Sequence, residues 1–558
     1  MKELLNRMTK QKEILALFII LILAIFLRFW QLGKVPASPD WDEAALGYNA
    51  YSILKTGKDE YGQFLPLILR SFDDYKPAVY AYLATLPIKF FGLNLWAVRL
   101  PSAIFGVLAV FLVYLLVKEL FRNSLSATRW ALLSAFLLAI SPWHLQFSRA
   151  AFESGVGMTL NILIALLFLK GLKKPWFFIL CALFAGLNIY VYQAEKIFTP
   201  FLVLALLIIW RKDWLKLPKK YLAVALLTGA ILVLPFIKMT LSNPEIFLRA
   251  KGTSFASDQT VFLSRTAQKL IRDINNNDYL GLILDNRRIT YLQSFLSGYL
   301  SHFNFNWLFI AGDDARHHAP GMGLLYLAEL PFFVYGIYWL IFNQKHRQAK
   351  FLLFIWFLLA PLPAAFTSGV PHAVRALRFL PVVQVFTALG LMNFWQKIEK
   401  FPSWKKFPVF FAVLGFFIFN FGYFFNQYFV QLNYFTSQAW QYGYEQAVKE
   451  VKKIEGNYEK VIVSNQPYLD QSYMFFLFYL KYDPAAYQRT GGTVSGGFAE
   501  DRNSFDKYVF RPIKWSEEEK SKHILYVGRA DDFSVGASVH KTINFLDGKP
   551  AIVIVKGE

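Results

Sequence analysis

A single cysteine, Cys181, stands in the chain, inside an apolar run, so no intrachain disulfide framework is available to it. The phosphate-cradling pattern GxxxxGK[ST] is missing, as are zinc-type Cys/His spacings and a helix–turn–helix pattern. These absences exclude a nucleotide-phosphate loop, a zinc-finger scaffold and a standard DNA reader. No internal repeat and no low-complexity tract is visible, which counts against the repeat-built transporters. Acidic residues are scarce, 38 against 59 Lys and Arg, for a net charge of +21. Such a balance suits nucleic acid, but the basic residues sit in loops between apolar runs, so no nucleic-acid partner is expected.

What is present is apolar. Of 558 residues 55% are hydrophobic and 18% aromatic, and the mean hydropathy is +0.34. That composition belongs to a multi-pass membrane protein rather than a soluble one. The first apolar run has no small-residue cleavage site after it and reads as a retained helix. Runs long enough to approach a bilayer core fall at 14–32, 99–117, 130–143, 154–170, 175–193, 197–210, 221–239, 323–343, 350–366, 376–395 and 407–428. Residues 77–95 are also apolar enough to span. If they do not cross, the basic loops at 118–129, 170–174, 211–220, 345–350 and 397–406 share a side with the Lys- and Arg-bearing N-terminal tail. If they cross, all five fall outside, against the positive-inside rule. The expected topology therefore has about 11 spans, a cytoplasmic N-terminus and an interfacial helix at 77–95. The placement is the inner (cytoplasmic) membrane.

This topology divides the chain into a membrane domain, 1–429, and a soluble extracytoplasmic domain, 430–558. The membrane domain has a first outer loop at 33–98 and a long outer segment at 241–322. It gathers the polar motifs on the outer face. PDWDEAALGYNAY begins at Pro39, with Asp40 as a helix N-cap and with Asp42, Glu43 and Tyr48 beyond it. Asp73, Asp74 and Lys76 precede the interfacial helix, whose N-terminus together with the Lys76 ammonium suits a phosphate. SPWHLQFSRAAFES brings His144, Arg149 and Glu153, YVYQAEK brings Tyr192, Gln193, Glu195 and Lys196, and TSGVPHAVRALR brings His372, Arg375 and Arg378. Cations at helix ends can hold a lipid phosphate or snorkel to headgroups. Asp313–Asp314 with His317–His318 can be drawn as a metal cluster, but the spacing matches no standard ligand set, so no metal and no cofactor is expected. Beyond 430 the short apolar runs KVIVS, HILYVG and AIVIVK, with an amphipathic stretch at 439–456, read as a small α/β domain.

The order of these blocks resembles the integral-membrane glycosyltransferases of the GT-C fold. The bacterial relatives of protein O-mannosyltransferases and of the aminoarabinose transferase acting on lipid A are the most similar in layout. The resemblance covers roughly residues 10–400. It rests on PDWDEAALGYNA, YKPAVYAYLATLPIKFFG, AVRLPSAIFGVLAVFLVYLLVKELF and SPWHLQFSRAAFES, in that order. The layout of first loop, interfacial helix and second loop is also similar to oligosaccharyltransferase catalytic subunits. The implied fold is mostly α. The resemblance places the catalytic carboxylate on Asp42, within the acidic motif Asp42–Glu43, and the donor-phosphate lysine on Lys76. Where the aminoarabinose transferases have Glu before that lysine, Tyr75 stands here, with Asp74 one step earlier. Where the second outer loop of the oligosaccharyltransferases carries acidic metal ligands, that region here offers only Glu153.

The implied reaction moves a sugar from a polyprenyl-phosphate carrier to a hydroxyl of a lipid, protein or glycan, with membrane lipids around it. Asp42, with Glu43, is the expected catalytic group. Lys76, Arg149, Arg375 and Lys196 are expected at the donor phosphate, and Asp74, Tyr48, Tyr192 and His372 at the substrate. An apolar groove between helices is expected to hold the prenyl tail. The rival reading is a transporter or flippase of a lipid-linked sugar, which Asp42→Asn would scarcely affect.

Overall fold

The computed structural model describes residues 2–72, 74–242, 252–257, 259–342, 345–493 and 504–558. Among the described residues each of the eleven apolar runs is mainly helical. They include α1 (Lys2–Phe29), α4 (Leu95–Leu120), α5 (Ala127–Ile140), α7 (Glu153–Gly171), α8 (Phe177–Asn188) and α9 (Glu195–Ile209). Six helical stretches among the described residues are each long and apolar enough to cross a membrane. A seventh is counted if α5 and the short α6 (Pro142–Arg149), bent by 58°, form one span. The others are shorter. Helix α3 (Val79–Phe91) has 13 residues and extends about 20 Å, against about 30 Å for a bilayer core.

Helix α4 sets the long axis. Asn94 caps it, accepting from the Ala97 N–H at 3.0 Å, and α1, α3, α5 and α7 pack around it. From Arg99 to Lys118 it rises about 28 Å. At the Lys118 end the basic loops meet. Lys118 pairs with Glu13, Lys173 with Glu119 at 2.7 Å, and Gln348 donates to Asp213 at 3.2 Å. The His346 ring packs edge-on to Phe121 and Trp130. At the Arg99 end the polar motifs meet. Elsewhere the helices Leu330–Phe342 and Val382–Ile398 cross so closely that Gly336 and Gly390 touch the opposing backbone.

The first loop is built on α2 (Trp41–Thr56). Asp40 caps it as its sequence suggests, accepting the Glu43 N–H at 2.9 Å. Asp42 and Glu43 fill the first turn, where the helix dipole favours acids. Gly57 ends the helix at φ +71, a conformation open to glycine, and its N–H reaches the Ile53 carbonyl. A hairpin of β1 (Ile68–Ser71) and β2 (Asp74–Pro77), pairing Leu69 with Lys76, follows. Lys76 thus comes from a strand rather than from the start of a helix.

Residues 403–436 form one rod of 34 residues, so the composition boundary at 429/430 falls inside it. Beyond it lie β3 (Lys460–Val463), β4 (Ser504–Phe505), β5 (Tyr508–Phe510), β6 (Ile524–Gly528), β7 (Ser538–Asn544) and β8 (Pro550–Lys556). They form a mixed sheet in the order β4-β5-β3-β6-β8-β7. The apolar helix Ser472–Leu480 docks this unit on α2, its Phe478 ring lying where a Cβ on Gly47 would stand, at 2.7 Å. Glu60 ties the same seam. It accepts from Asn49 at 2.9 Å and from Thr493 at 2.7 Å, with the Tyr473 hydroxyl at 3.3 Å. Burial pushes its carboxyl up to about 7, against these hydrogen bonds. The long segment 241–322 is largely helical where described.

Candidate active site

A cavity of about 880 Å³ opens at the polar end. Its walls come from six separate stretches. The start of α2 gives Trp41 and Asp42, β2 gives Lys76, and the start of α7 gives Phe152 and Glu153. Tyr192 and Gln193 precede α9, and two loops complete the walls with Asp313–His317 and with His372 and Arg375. Asp42 and Lys76 form an ion pair at its edge. The carboxylate is 32% exposed and the ammonium 8%. Lys76 Nζ also stands 5.3 Å from the Phe72 ring centre. The pairing favours an ionised carboxylate beside a fixed cation.

Glu43, the next residue, turns away. Arg99 grips it through Nε–Oε1 at 2.8 Å and Nη2–Oε2 at 2.7 Å. The Ala151 N–H adds a bond of 2.7 Å to Oε1. Arg99 spends its remaining donors on the carbonyls of Leu32, Pro36 and Ser38. This buried pair ties the first loop to α4 and to the segment before α7, and Glu43 is not among the described residues that line the cavity. Burial, then the charge of Asp42, pushes the neighbouring Asp40 carboxyl up to about 7, against the pull of Arg316.

Three other expected site residues also face elsewhere. Arg149 is fully buried and donates to the carbonyls of Leu27 at 2.8 Å, Arg28 at 3.1 Å and Val35 at 3.1 Å. It organises the turn after α1 and does not line the cavity. Tyr48 is buried under the C-terminal unit, with its hydroxyl on the Tyr482 carbonyl at 3.3 Å and its ring edge-on to Tyr487. Lys196 stands behind the wall, donating to Gln193 Oε1 at 2.5 Å and facing the Phe236 ring. Asp74 pairs through its backbone with Ser71. Its side chain and the whole of Asp73 lie outside the described residues.

Tyr192, His372 and Arg375 do line the cavity. Arg375 donates to Thr367 Oγ1 at 2.5 Å and to the Ser368 carbonyl at 2.9 Å. Burial and the charge of Arg375 hold His372 down to about 2, so its imidazole is neutral. Of the cations at helix ends, Arg378 is consumed by a buried pair with Glu195, Nη2–Oε1 at 2.6 Å, beneath the Tyr192 ring. His144 is buried against Arg28 at 2.6 Å.

Arg316 is a charged lining residue that the sequence pattern did not single out. Its guanidinium lies 5.0 Å from the Trp41 ring centre and bridges Asp40 at 3.5 Å and Asp314 at 3.3 Å. The only signal was its place within AGDDARHHAPGMG. A separate crevice of about 480 Å³ between α1, α5 and the helices Val382–Ile398 and Ser403–Asn426 is apolar, with Leu23, Phe136, Trp395 and Phe417 on its walls. None of the described residues beyond Arg375 lines the polar cavity.

Comparison with known proteins gives the same outline. A family profile described as dolichyl-phosphate-mannose-protein mannosyltransferase matches residues 75–238. YkcB of Bacillus subtilis (strain 168), which carries a provisional mannosyltransferase name, is 26% identical over 209 residues. The match spans 36% of this chain and 27% of that protein's length. Among solved structures, ArnT from Cupriavidus metallidurans in the apo state superposes with TM-score 0.54 at 12% identity, covering 96% of this chain and 97% of that one. Its complex with undecaprenyl phosphate gives TM-score 0.54 at 11% identity and the same coverage. The archaeal oligosaccharyltransferase AglB from Archaeoglobus fulgidus, in complex with an inhibitory peptide and a dolichol-phosphate, gives TM-score 0.52 at 13% identity, covering 93% and 70%. The likeness to the solved structures is one of fold, and it bears out the GT-C resemblance read from the sequence.

Proposed function

We propose that this GT-C protein transfers a sugar from a polyprenyl-phosphate carrier to an acceptor hydroxyl, in the polar cavity, on the outer face of the cell membrane. The observation that carries the reading is the Asp42–Lys76 pair at the edge of a cavity that also holds Arg375 and Arg316. The relatives of the same fold captured with dolichol-phosphate and undecaprenyl phosphate support a lipid-linked donor. The gathering of the basic loops at the other end of the bundle supports the outer placement, by the positive-inside bias.

In this reading Asp42 accepts the proton of the acceptor hydroxyl as its oxygen bonds to the anomeric carbon. The bond from that carbon to the phosphate oxygen breaks, and the electron pair leaves with the polyprenyl phosphate. Lys76 and Arg375 stabilise the charge that develops there. One displacement on one face gives inversion, and no step calls on a cofactor. Tyr192, His372 and Gln193 shape the sugar subsite, and the apolar crevice takes the isoprenoid tail. Glu43 and Arg149 are positioning residues, because each is saturated by protein partners.

The test is sugar transfer in membranes supplied with a panel of radiolabelled polyprenyl-phosphate sugars. Asp42→Asn should keep its fold and its bound lipid phosphate and lose transfer. Full transfer by Asp42→Asn would overturn the reading. Unchanged passage of lipid-linked sugar across the membrane in that variant would favour a flippase.

A further inference from the structure

Three side chains in the cavity wall form a cluster apart from the Asp42–Lys76 pair, although one of them, His372, also borders the proposed sugar subsite. The ligating atoms of Asp313, His317 and His372 lie within 4.8 Å of one another. Two of them share one loop. Asp313 follows Gly312, whose φ of +70 turns the chain out of the helical turn Trp307–Ala311, and His317 comes four residues later. His372 arrives from another loop, ahead of the helix Val382–Ile398.

Two of the three are braced by neighbouring groups. The Ala373 N–H donates to Asp313 Oδ2 at 2.7 Å. The His372 N–H donates to His302 Nε2 at 3.2 Å, and His302 Nδ1 is in turn 2.7 Å from the Gly298 carbonyl. Among the described residues, what remains on the three lacks a hydrogen-bond partner outside the cluster. Asp313 Oδ1, His317 Nδ1 and His372 Nδ1 are buried, and among the described residues no hydrogen bond reaches any of them. His317 Nδ1 and Asp313 Oδ1 face each other at 3.2 Å, an ion-pair contact when the imidazole is protonated. His317 is only 5% exposed. Burying such groups without partners is costly.

A cation would satisfy all three at once. Two imidazoles and a carboxylate suit zinc, and the set has too few oxygens for calcium or magnesium. Tetrahedral zinc places its ligand atoms about 3.3 Å apart, close to the 3.2 Å found between Asp313 and His317. The neighbours that the sequence pattern offered are otherwise engaged, His318 Nδ1 with the Ala319 carbonyl at 2.9 Å and Asp314 with Arg316.

We propose that Asp313, His317 and His372 bind one Zn²⁺, with a fourth position toward the cavity, and that the ion clips the loop after Gly312 to the loop carrying His372 and Arg375. The clip holds one wall of the cavity in place. Zinc content is read without any transfer assay, so either proposal can fail alone.

The experiment uses the full chain in nanodiscs, stripped with a chelator and reloaded with Zn²⁺ alone. The expected result is one zinc per chain, a higher unfolding midpoint with zinc, and a tetrahedral visible spectrum after cobalt substitution. His317→Ala and His372→Ala should each lower zinc affinity by at least about tenfold, and His318→Ala should not. His372→Cys should retain the metal and add a thiolate-to-cobalt absorption band, which separates ligation from folding. Zinc well below one per chain in the reloaded wild type, or equal zinc in wild type, His317→Ala and His372→Ala, overturns the proposal.

Discussion

Arg99 holds Glu43 through two parallel hydrogen bonds, of 2.8 and 2.7 Å, with both side chains buried. The pair decides which of two adjacent carboxylates is left for chemistry, since Asp42 is the one that faces the cavity. Removing one partner strands the other charge in the interior, at a cost of about 3–5 kcal/mol. Arg99→Ala should therefore lower the unfolding midpoint and abolish transfer together. Arg99→Lys should rescue little, because an ammonium cannot supply the fork. Asp42→Asn should leave the midpoint within about 0.5 kcal/mol of wild type and reduce transfer by roughly 10²–10⁴-fold. Thermal unfolding and transfer measured on the same preparations separate the two patterns. An Asp42→Asn protein as unstable as Arg99→Ala would make Asp42 structural as well.

Lys76 is nearly covered, at 8% side-chain exposure, yet lines the cavity beside Asp42. A cation set there stabilises a departing phosphate without reorganising. Lys76→Ala should cut transfer by about 10²–10³-fold and weaken retention of polyprenyl phosphate. Lys76→Arg should recover part of both. Retention equal to wild type in Lys76→Ala would place the phosphate elsewhere, with Arg375 or Arg316 the nearest alternatives on the cavity wall.

The two candidate residues that sequence order pointed to, Asp42 and Lys76, do meet in space, and the apolar helices were legible because hydropathy over a full turn is a local property. The positions that misled depend on partners far along the chain. An arginine at a helix end looks the same whether it snorkels or, like Arg149, closes on the carbonyls of Leu27, Arg28 and Val35. Tyr48 is six residues beyond Asp42, about 240° around α2, so the face that carries Asp42 to the cavity carries Tyr48 to the C-terminal unit. SYMFFLFYL, nine residues of the helix Ser472–Leu480, is too short for periodicity to separate a buried helix from a strand. Arg316 was hidden in a loop of mixed charge, and its use depends on stacking over Trp41.

Glu60 makes the seam between the first loop and the C-terminal unit sensitive to pH. Its carboxyl is pushed up to about 7 by burial, from an ordinary value of 4.5. The folded state then binds the proton more tightly than the unfolded state does. The stabilisation is complete below about pH 4.5 and is lost as pH rises through about 7, at most about 3 kcal/mol. Unfolding midpoints should fall between pH 5 and pH 8, and Glu60→Gln, which keeps the shape, should flatten that part of the profile. An identical slope in wild type and Glu60→Gln would remove Glu60 as the cause.

Gly390 gives the last prediction, because it links packing in the membrane domain to the wall of the site. A Cβ at Gly390 would stand 1.9 Å from the Phe332 carbonyl oxygen, and one at Gly336 would stand 1.8 Å from that of Phe386. Both obstacles are backbone, so no rotamer change relieves them and the two helices must separate. Gly390→Ala should cost about 1–3 kcal/mol or more. The helix it displaces, Val382–Ile398, follows the loop that carries His372 and Arg375, so transfer should fall as well, although Gly390 is not among the described residues lining the cavity. Gly415, in the helix Ser403–Asn426, has no heavy atom within 4 Å of where its Cβ would lie. There alanine should be neutral or stabilising by up to about 1 kcal/mol, through helix propensity alone. Unfolding midpoints of the two variants in one detergent decide the matter. If Gly390→Ala melts with wild type, the crossing is looser than the structure draws it, and the wall carrying His372 and Arg375 owes its position to something other than this contact.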